Sequence, residues 1–136
     1  IAVLIVLNGL LVAAEFSIVG SRKARVDKLV NEGRGGAKTV QETLSSAPNQ
    51  DRYIATAQLG ITLATIGLGM DGEPSVARWI YGPLERGLGI SEAFAHTLGT
   101  VMAVSVMTYF HVVIGEMVPK ALALQAPETT AQRIAQ

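Results

Sequence analysis

The sequence contains no cysteine, which excludes disulfide bonds, thiolate metal sites and cysteine nucleophiles. It has no excess charge of either sign, because 11 basic and 11 acidic residues leave a net charge of zero, so nothing draws the whole chain toward nucleic acid. Charged residues are scarce at 16%, whereas hydrophobic residues make up 49%, which is too many for a disordered chain. Two classes of protein remain, a very apolar helical domain or a membrane domain.

Three stretches of the chain almost lack Asp, Glu, Lys, Arg and His side chains. Residues 1–21 contain only Glu15, residues 53–70 contain none, and residues 93–115 contain none apart from two histidines. A helix that crosses a bilayer needs about 20 apolar residues, whereas a helix at the surface of a soluble core shows a polar stripe. The interruptions here are small Thr, Ser and Gly residues, which suit helix–helix contacts in lipid. We therefore predict an all-α, multi-pass membrane domain with three transmembrane helices.

The basic residues predict how these helices are oriented. Residues 22–52 contain seven Lys and Arg residues, whereas residues 71–92 contain two. Because cytoplasmic loops carry an excess of basic residues, we predict that the N-terminus is outside and the C-terminus inside. The chain begins and ends within helical patterns, so we expect it to be a piece of a longer protein.

The connections between the spans have helical patterns of their own. Residues 21–33 predict a basic amphipathic helix, and a second short helix is expected near Ala37–Leu44. We predict that these two form a helical hairpin at the membrane surface, and the alternative is a solvated charged helix. On the other side of the membrane we expect a turn at Gly69–Pro74, followed by a short helix over Val76–Leu88.

Polar groups at bilayer depth are the candidates for function, because a carboxylate there is costly in free energy. Glu15 and Glu116 are the two acids concerned. Pro119 has no N–H, so the carbonyl of Gly115, four residues earlier, loses its helical hydrogen bond. A free carbonyl beside a carboxylate offers the all-oxygen environment that hard cations such as Mg²⁺ prefer. In the alternative interpretation, Glu116 only pairs with Lys120 near a helix end.

Other polar side chains in the spans are candidates for an ion pathway. Thr62 offers a hydroxyl oxygen, and Glu15 is either a second acid of the site or a partner for a basic residue of the hairpin. Thr65 is at least as well explained by helix packing, and a lone histidine is more often a buried hydrogen-bonding residue than a ligand. The pathway candidates are Asn8, Ser17, Gln58, Thr65 and His111.

Four stretches of the sequence resemble the membrane domain of the CNNM/CorC family, in its hemolysin-like bacterial branch. They are NGLLVAAEFSIVGSRKARVDKL, AQLGITLATIGLGMDGEP, HVVIGEMVPKALAL and the APE at 126–128, in the family's order and spacing. The resemblance covers residues 1–136 as one CNNM-type transmembrane domain. It implies three spanning helices with a membrane-surface hairpin, a homodimer in the cell membrane, and cytoplasmic nucleotide-binding CBS modules after residue 136. Family members are associated with Mg²⁺ export, in some cases proposed to be driven by Na⁺ entry.

The resemblance also assigns roles to individual residues. It implies that Glu116 is the acid of the third helix, Gly115 the freed carbonyl and Pro119 the helix break. Better-characterised members have serines in the first segment and asparagines in the second, and several of those side-chain oxygens are changed here. The residues at those positions are Val12, Ala14, Ile61, Thr62 and Thr65.

Together these observations predict a transport domain that exports Mg²⁺ or a similar divalent cation, with Na⁺ as the coupling ion that the resemblance suggests. In this hypothesis Glu116 and the Gly115 carbonyl hold the ion, while Glu15 adds negative potential and Thr62 a hydroxyl or water-mediated contact. Two alternatives are export of an organic polycation such as a polyamine, and a non-transporting anchor or sensor for cytoplasmic CBS modules. We expect neither an enzyme, because no nucleophile has a neighbouring base, nor a nucleic-acid partner.

Overall fold

All regular structure in the computed structural model, which describes residues 1–88 and 91–136, is helical. For four residues within α5 the backbone alone is described: Glu73, Glu85, Arg86 and Leu88. The helices are α1 (Ala2–Gly20), α2 (Lys23–Asn31), α3 (Ala37–Leu44), α4 (Ala47–Gly67), α5 (Glu73–Leu88), α6 (Glu92–Phe110), α7 (Val118–Gln125) and α8 (Pro127–Ile134). Two π-helical segments join some of them, π1 (Leu68–Gly72) between α4 and α5, and π2 (His111–Met117) between α6 and α7.

Three helical stretches are long and apolar enough to cross a membrane: Ala2–Gly20, Ala47–Leu84 and Glu92–Gln125. The first is α1, the second runs from α4 through π1 into α5, and the third runs from α6 through π2 into α7. The three-span, all-α fold that the sequence predicts is thereby confirmed. The orientation of the spans relative to the cytoplasm stays a prediction.

Helix α1 is the centre of the bundle and contacts α4, π2, α7 and α8, while α5 and α6 pack against each other. Several helix contacts are made by small side chains, which let backbones approach closely. The buried alanines are Ala14, Ala37, Ala57, Ala64, Ala77, Ala95, Ala103, Ala123 and Ala131. Between α5 and α6, the hydroxyls of Tyr81 and Thr100 are 2.8 Å apart, and the Tyr81 ring stacks on His96 at 4.6 Å between centroids.

The predicted hairpin is present as α2 and α3, and α3 has the bounds expected from the sequence. Val26 and Val40 pack with Ile18 of α1 and Ala131 of α8 in a small hydrophobic core at the end of the bundle. A hydrogen bond of 2.7 Å from the Gln41 amide to Asp27 also joins the two helices. The location of the hairpin at the membrane surface stays a prediction.

The turn predicted at Gly69–Pro74 is wrong, because the chain continues there as π1 and then α5. Pro74 lies in the first turn of α5, directly after the widened turn. A proline inside an α-helix lacks one donor and its ring clashes with the carbonyl four residues back. In a π turn the carbonyl four residues before the proline can accept from the N–H of the residue after it, so a glycine- and proline-containing stretch stays helical. Pro119 follows π2 in the same way, two residues after it ends.

Candidate functional site

Residues from three separate helices line one cavity of about 380 Å³, which we call the acid cavity. Glu15 comes from α1, Gln58 and Thr62 come from α4, and Glu116 comes from π2. The remaining lining residues are apolar: Val12, Phe16 and Ile61. Glu15 and Glu116, 101 positions apart in sequence, therefore face the same space.

The side chains of the acid cavity are only partly engaged with one another. The Gln58 amide donates a hydrogen bond of 3.0 Å to Glu15 Oε1. The Thr62 hydroxyl donates to the carbonyl of Gln58 at 2.9 Å, which leaves its oxygen lone pairs free to face the cavity. In the described chain, no group of three or more histidine or acidic side chains is arranged to hold a metal. A cation in this cavity would therefore take its other ligands from neutral oxygens or water.

The helix interruption beside Glu116 is built by π2 and Pro119. The Val118 N–H bonds to the carbonyl of Val113, five residues earlier, instead of four as in an α-helix. The helix then continues as α7, so Pro119 interrupts the third span without ending it. Gly9 of α1 lies against this break, since a Cβ placed on it would be 3.0 Å from the Pro119 ring.

Asn8 holds the Gly115 carbonyl, which the sequence predicts to be free. Its Nδ2 donates to the Gly115 oxygen at 2.8 Å, and the Asn8 side chain is buried. The prediction of an unbonded carbonyl is thus wrong, because a side chain from another helix replaces the missing N–H. A carbonyl oxygen has two lone pairs, so one remains for a further partner. The Asn8 Oδ1 atom has no protein partner in the described chain.

The alternative in which Glu116 pairs with Lys120 finds no support in the structure. The Lys120 ammonium lies 4.3 Å from the centroid of the Phe16 ring, a cation–π contact. The ion pairs within the described residues involve Glu32 and Glu128 and not Glu116. Likewise, Glu15 contacts Gln58 rather than a cation of the hairpin.

Thr65 and His111 lie apart from the acid cavity, in a second space of about 210 Å³ between α4, π1 and α6. Thr65 donates to the Ile61 carbonyl at 2.9 Å, and the His111 Nε2 atom is buried without a partner among the described residues. Ser17 is fully buried and donates to the Ala14 carbonyl at 2.8 Å, so it lines neither cavity. Of the predicted pathway residues, Gln58 alone lies in the acid cavity.

Comparison with known proteins places this architecture in a family. The family model described as the Cyclin M transmembrane N-terminal domain (CNNM) matches residues 1–136. The chain belongs to the CNNM family. This CNNM domain is 40% identical over 128 residues to the UPF0053 protein YhdT of Bacillus subtilis (strain 168), covering 94% of this chain and 27% of YhdT.

Other relatives show the same pattern of coverage. UPF0053 protein YhdP of Bacillus subtilis (strain 168) is 36% identical over 135 residues, which is 99% of this chain and 30% of YhdP. The uncharacterized protein Rv1841c of Mycobacterium tuberculosis (strain ATCC 25618 / H37Rv) is 38% identical over 125 residues, 91% of this chain and 34% of that protein. The CNNM domain thus spans about a third or less of these relatives. No solved structure matches it.

A third acid, Glu128, has a structural role that the sequence alone does not indicate. Its Oε1 accepts a 3.2 Å hydrogen bond from the Arg22 N–H at the start of α2, and its Oε2 lies 3.7 Å from the Arg25 guanidinium. Gly36 (φ +76°) approaches the Gln132 carbonyl so closely that no Cβ fits. We call these contacts the hairpin corner (Arg22, Arg25, Gly36, Glu128 and Gln132). The only sequence signal for Glu128 is its place in the APE motif.

Proposed function

We propose that this CNNM domain exports Mg²⁺ or a similar divalent cation across the membrane and that the ion binds in the acid cavity. The observation that carries the proposal is the convergence of Glu15 and Glu116 on one cavity within the spans. No basic residue is among the described residues that line it. Two carboxylates at bilayer depth are costly in free energy unless a cation neutralises them, so a cation bound from solution is the partner that the site lacks.

The cavity provides the kind of ligands that a hard cation takes. Glu15 and Glu116 supply carboxylate oxygens, and Thr62 a hydroxyl oxygen. Rotation of the Gln58 amide, which now donates to Glu15, would turn its oxygen toward the ion. Mg²⁺ gives up its water reluctantly and often keeps several molecules, and a volume of about 380 Å³ has room for a partly hydrated ion.

The helix break supplies the mobile part of the proposed mechanism. Glu116 lies in π2, directly before the turn that Pro119 interrupts. Broken helices at membrane depth recur in transporters because their loosened turns can rearrange around a bound ion. Movement about Pro119 would open the acid cavity to one side of the membrane and then to the other. The Gly115 carbonyl joins the site through its second lone pair, while Asn8 holds it in place.

The proposal includes the assembly and environment expected from the family resemblance. These are a homodimer in the cell membrane, Na⁺ entry as the driving reaction, and cytoplasmic CBS modules that follow residue 136 and control transport. Function as a transport domain, rather than an enzyme, agrees with membership in the CNNM family.

Transport by reconstituted protein is the direct experiment. The protein is placed in liposomes with an Mg²⁺-sensitive dye, and the initial rate is compared with that of Glu116→Gln. Loss of one charged ligand is expected to weaken ion binding, and with it the rate at limiting Mg²⁺, by about tenfold or more. The control is Glu42→Gln, which removes an exposed acid on α3. Equal rates for Glu116→Gln and the unsubstituted protein would contradict the proposal.

Thermal unfolding separates the cation classes. Mg²⁺ is expected to raise the unfolding temperature of the unsubstituted protein, and a polyamine such as spermidine is not. Stabilisation by spermidine alone would instead favour organic-cation export. If neither cation stabilises the protein and Glu116→Ala leaves cellular Mg²⁺ tolerance unchanged, the domain is a non-transporting anchor or sensor.

A further inference from the structure

Another concave surface lies on the other side of the helix break, between α1, α7 and α8. It encloses about 440 Å³, within the range of about 300–1,000 Å³ typical of small-molecule pockets. Its walls are apolar, with Leu10 and Leu122 more than half exposed. The polar exceptions among the described lining residues are Thr130 and Arg133 of α8. We call this surface the Arg133 groove.

The Arg133 groove has its charge at one end. Helix α8 packs against the hairpin and the C-terminal part of α1 through Ala131. Arg133 therefore lies toward the end of the bundle that holds the C-terminus of α1. Ile5 and Val6, which also line the groove, belong to the other half of α1. No described carboxylate lies within ion-pair distance of Arg133. An elongated ligand with an anionic head and an apolar tail matches this distribution.

We propose that the Arg133 groove binds one anionic phospholipid, with its phosphate on Arg133 and an acyl chain along the apolar wall. A guanidinium binds phosphate oxygens with two parallel hydrogen bonds, and the Thr130 hydroxyl provides a further donor. The neighbouring hairpin is rich in cations, including Lys23 and Lys28, and basic segments at a membrane surface attract anionic lipids. In a membrane, lipid acyl chains also surround any apolar groove on the outside of a helix bundle.

A second copy of the chain fits the groove less well. In a two-fold contact each copy presents the same patch to the other, so both Arg133 side chains would enter one interface. None of the described lining residues is acidic, and two unpaired guanidinium groups against apolar walls would be unfavourable. A lipid phosphate supplies the missing negative charge.

The bound lipid would influence the ion site, an effect that rests on the proposed function. Ile114 and Pro119 line the Arg133 groove, whereas Glu116, between them in sequence, lines the acid cavity. One interrupted stretch of helix therefore separates the lipid from the ion. If movement about Pro119 changes the shape of the groove, lipid and ion must change each other's affinity by the same factor.

Native mass spectrometry tests the lipid site without Mg²⁺. The purified protein in detergent and EDTA is titrated with phosphatidylglycerol. Arg133→Gln is expected to weaken binding of the first lipid by about tenfold, as loss of a charge-assisted hydrogen bond does. Lys38→Gln removes an equal charge from the exposed surface of α3 and should leave binding unchanged. If both variants weaken binding equally, the lipid is attracted only by the overall positive charge of the protein, and the proposal is wrong.

A filling substitution tests the groove independently of its charge. Ala13→Phe places a ring in the groove and should also abolish binding of the first lipid, whereas Val3→Phe, at a 78% exposed position outside it, should not. The proposal is wrong if Ala13→Phe binds lipid as the unsubstituted protein does. It is also wrong if Ala13→Phe keeps its lipid but no longer forms a dimer. Inorganic phosphate should not displace the lipid, and if it does, the ligand is a soluble phosphate.

Coupling to the ion site is measured separately, so the two proposals can fail separately. Saturating phosphatidylglycerol is expected to shift the midpoint of an Mg²⁺ titration about fivefold or more. An unchanged midpoint with lipid bound contradicts the coupling. Absence of any Mg²⁺ binding, with lipid binding intact, contradicts the proposed transport function and leaves the lipid site standing.

Discussion

The hairpin corner and the acid cavity hold carboxylates in opposite circumstances. Glu128 is 6% exposed, and both of its oxygens face a donor of the same chain, the Arg22 N–H and the Arg25 guanidinium. In the acid cavity, Glu15 faces a neutral amide, and Glu116 takes part in no ion pair within the described residues. The nearby cation, Lys120, lies over an aromatic ring instead.

This difference distinguishes a structural acid from a binding acid. The charge of Glu128 is compensated within the fold, so the hairpin corner should be complete without any ligand. The acids of the cavity lack such compensation, so their region should gain stability only when a cation arrives. Substitutions in the two regions should therefore change stability in opposite directions.

The largest effect is expected at Gly36 of the hairpin corner. Gly36→Ala forces a side chain into a left-handed backbone conformation and against the Gln132 carbonyl, and should lower the free energy of unfolding by about 3 kcal/mol. Gly33 also has a positive φ (+70°) but has open space around it, so Gly33→Ala should cost about 1–2 kcal/mol. Thermal unfolding in detergent measures both variants. Equal losses in the two variants would show that the contact with the Gln132 carbonyl of α8 adds nothing to the cost of Gly36→Ala.

A smaller loss is expected from Glu128→Gln. The amide removes the charge that faces Arg25 and weakens the acceptor of the Arg22 N–H, so we expect a loss of about 1–2 kcal/mol. Glu32→Gln is the matched control, because its pairs with Lys28 and Arg34 are exposed and worth less than about 1 kcal/mol. A loss no greater than in Glu32→Gln would mean that Glu128 is not a structural acid.

The smallest effect, with the opposite sign, is expected when both cavity acids are replaced and EDTA keeps the protein free of Mg²⁺. In EDTA, the Glu15→Gln/Glu116→Gln double variant should be as stable as the unsubstituted protein or more stable by up to about 1 kcal/mol, because two neutral amides at bilayer depth cost less than two uncompensated negative charges. Mg²⁺ at about 100 times its dissociation constant should add about 2.7 kcal/mol to the unsubstituted protein and nothing to the double variant. If the double variant in EDTA unfolds at a much lower temperature than the unsubstituted protein, the cavity acids are structural like Glu128, and the two regions do not differ.

The sequence predicts those parts of the fold that depend on local composition. The three spans follow from the scarcity of charge in residues 1–21, 53–70 and 93–115, and α3 follows from the pattern near Ala37–Leu44. The mistaken turn at Gly69–Pro74 has a local cause as well. Glycine and proline favour turns in water, but a π segment lets both remain inside a long helix.

The candidate site is only partly predictable because its contacts join distant segments. Glu15, Thr62 and Glu116 stand out individually as polar groups in apolar runs, and the structure brings them to one cavity. The hydrogen bond from Asn8 to Gly115 spans 107 positions, and no local pattern indicates it. Thr65 and Gln58 both belong to α4 and are both pathway candidates, yet Thr65 faces a different cavity.

The length of the second span gives the domain a lever. At about 1.5 Å of rise per residue its 38 residues amount to about 57 Å of helix, more than the roughly 30 Å that one crossing of the hydrocarbon layer needs. Tyr81 clamps α5 and α6 together as one arm through Thr100 and His96. Because π1 joins α5 directly to α4, the helix that carries Gln58 and Thr62, a tilt of α4 would be passed on to this arm. A small adjustment around an ion would thus be carried to the end of the bundle that lies away from the basic hairpin.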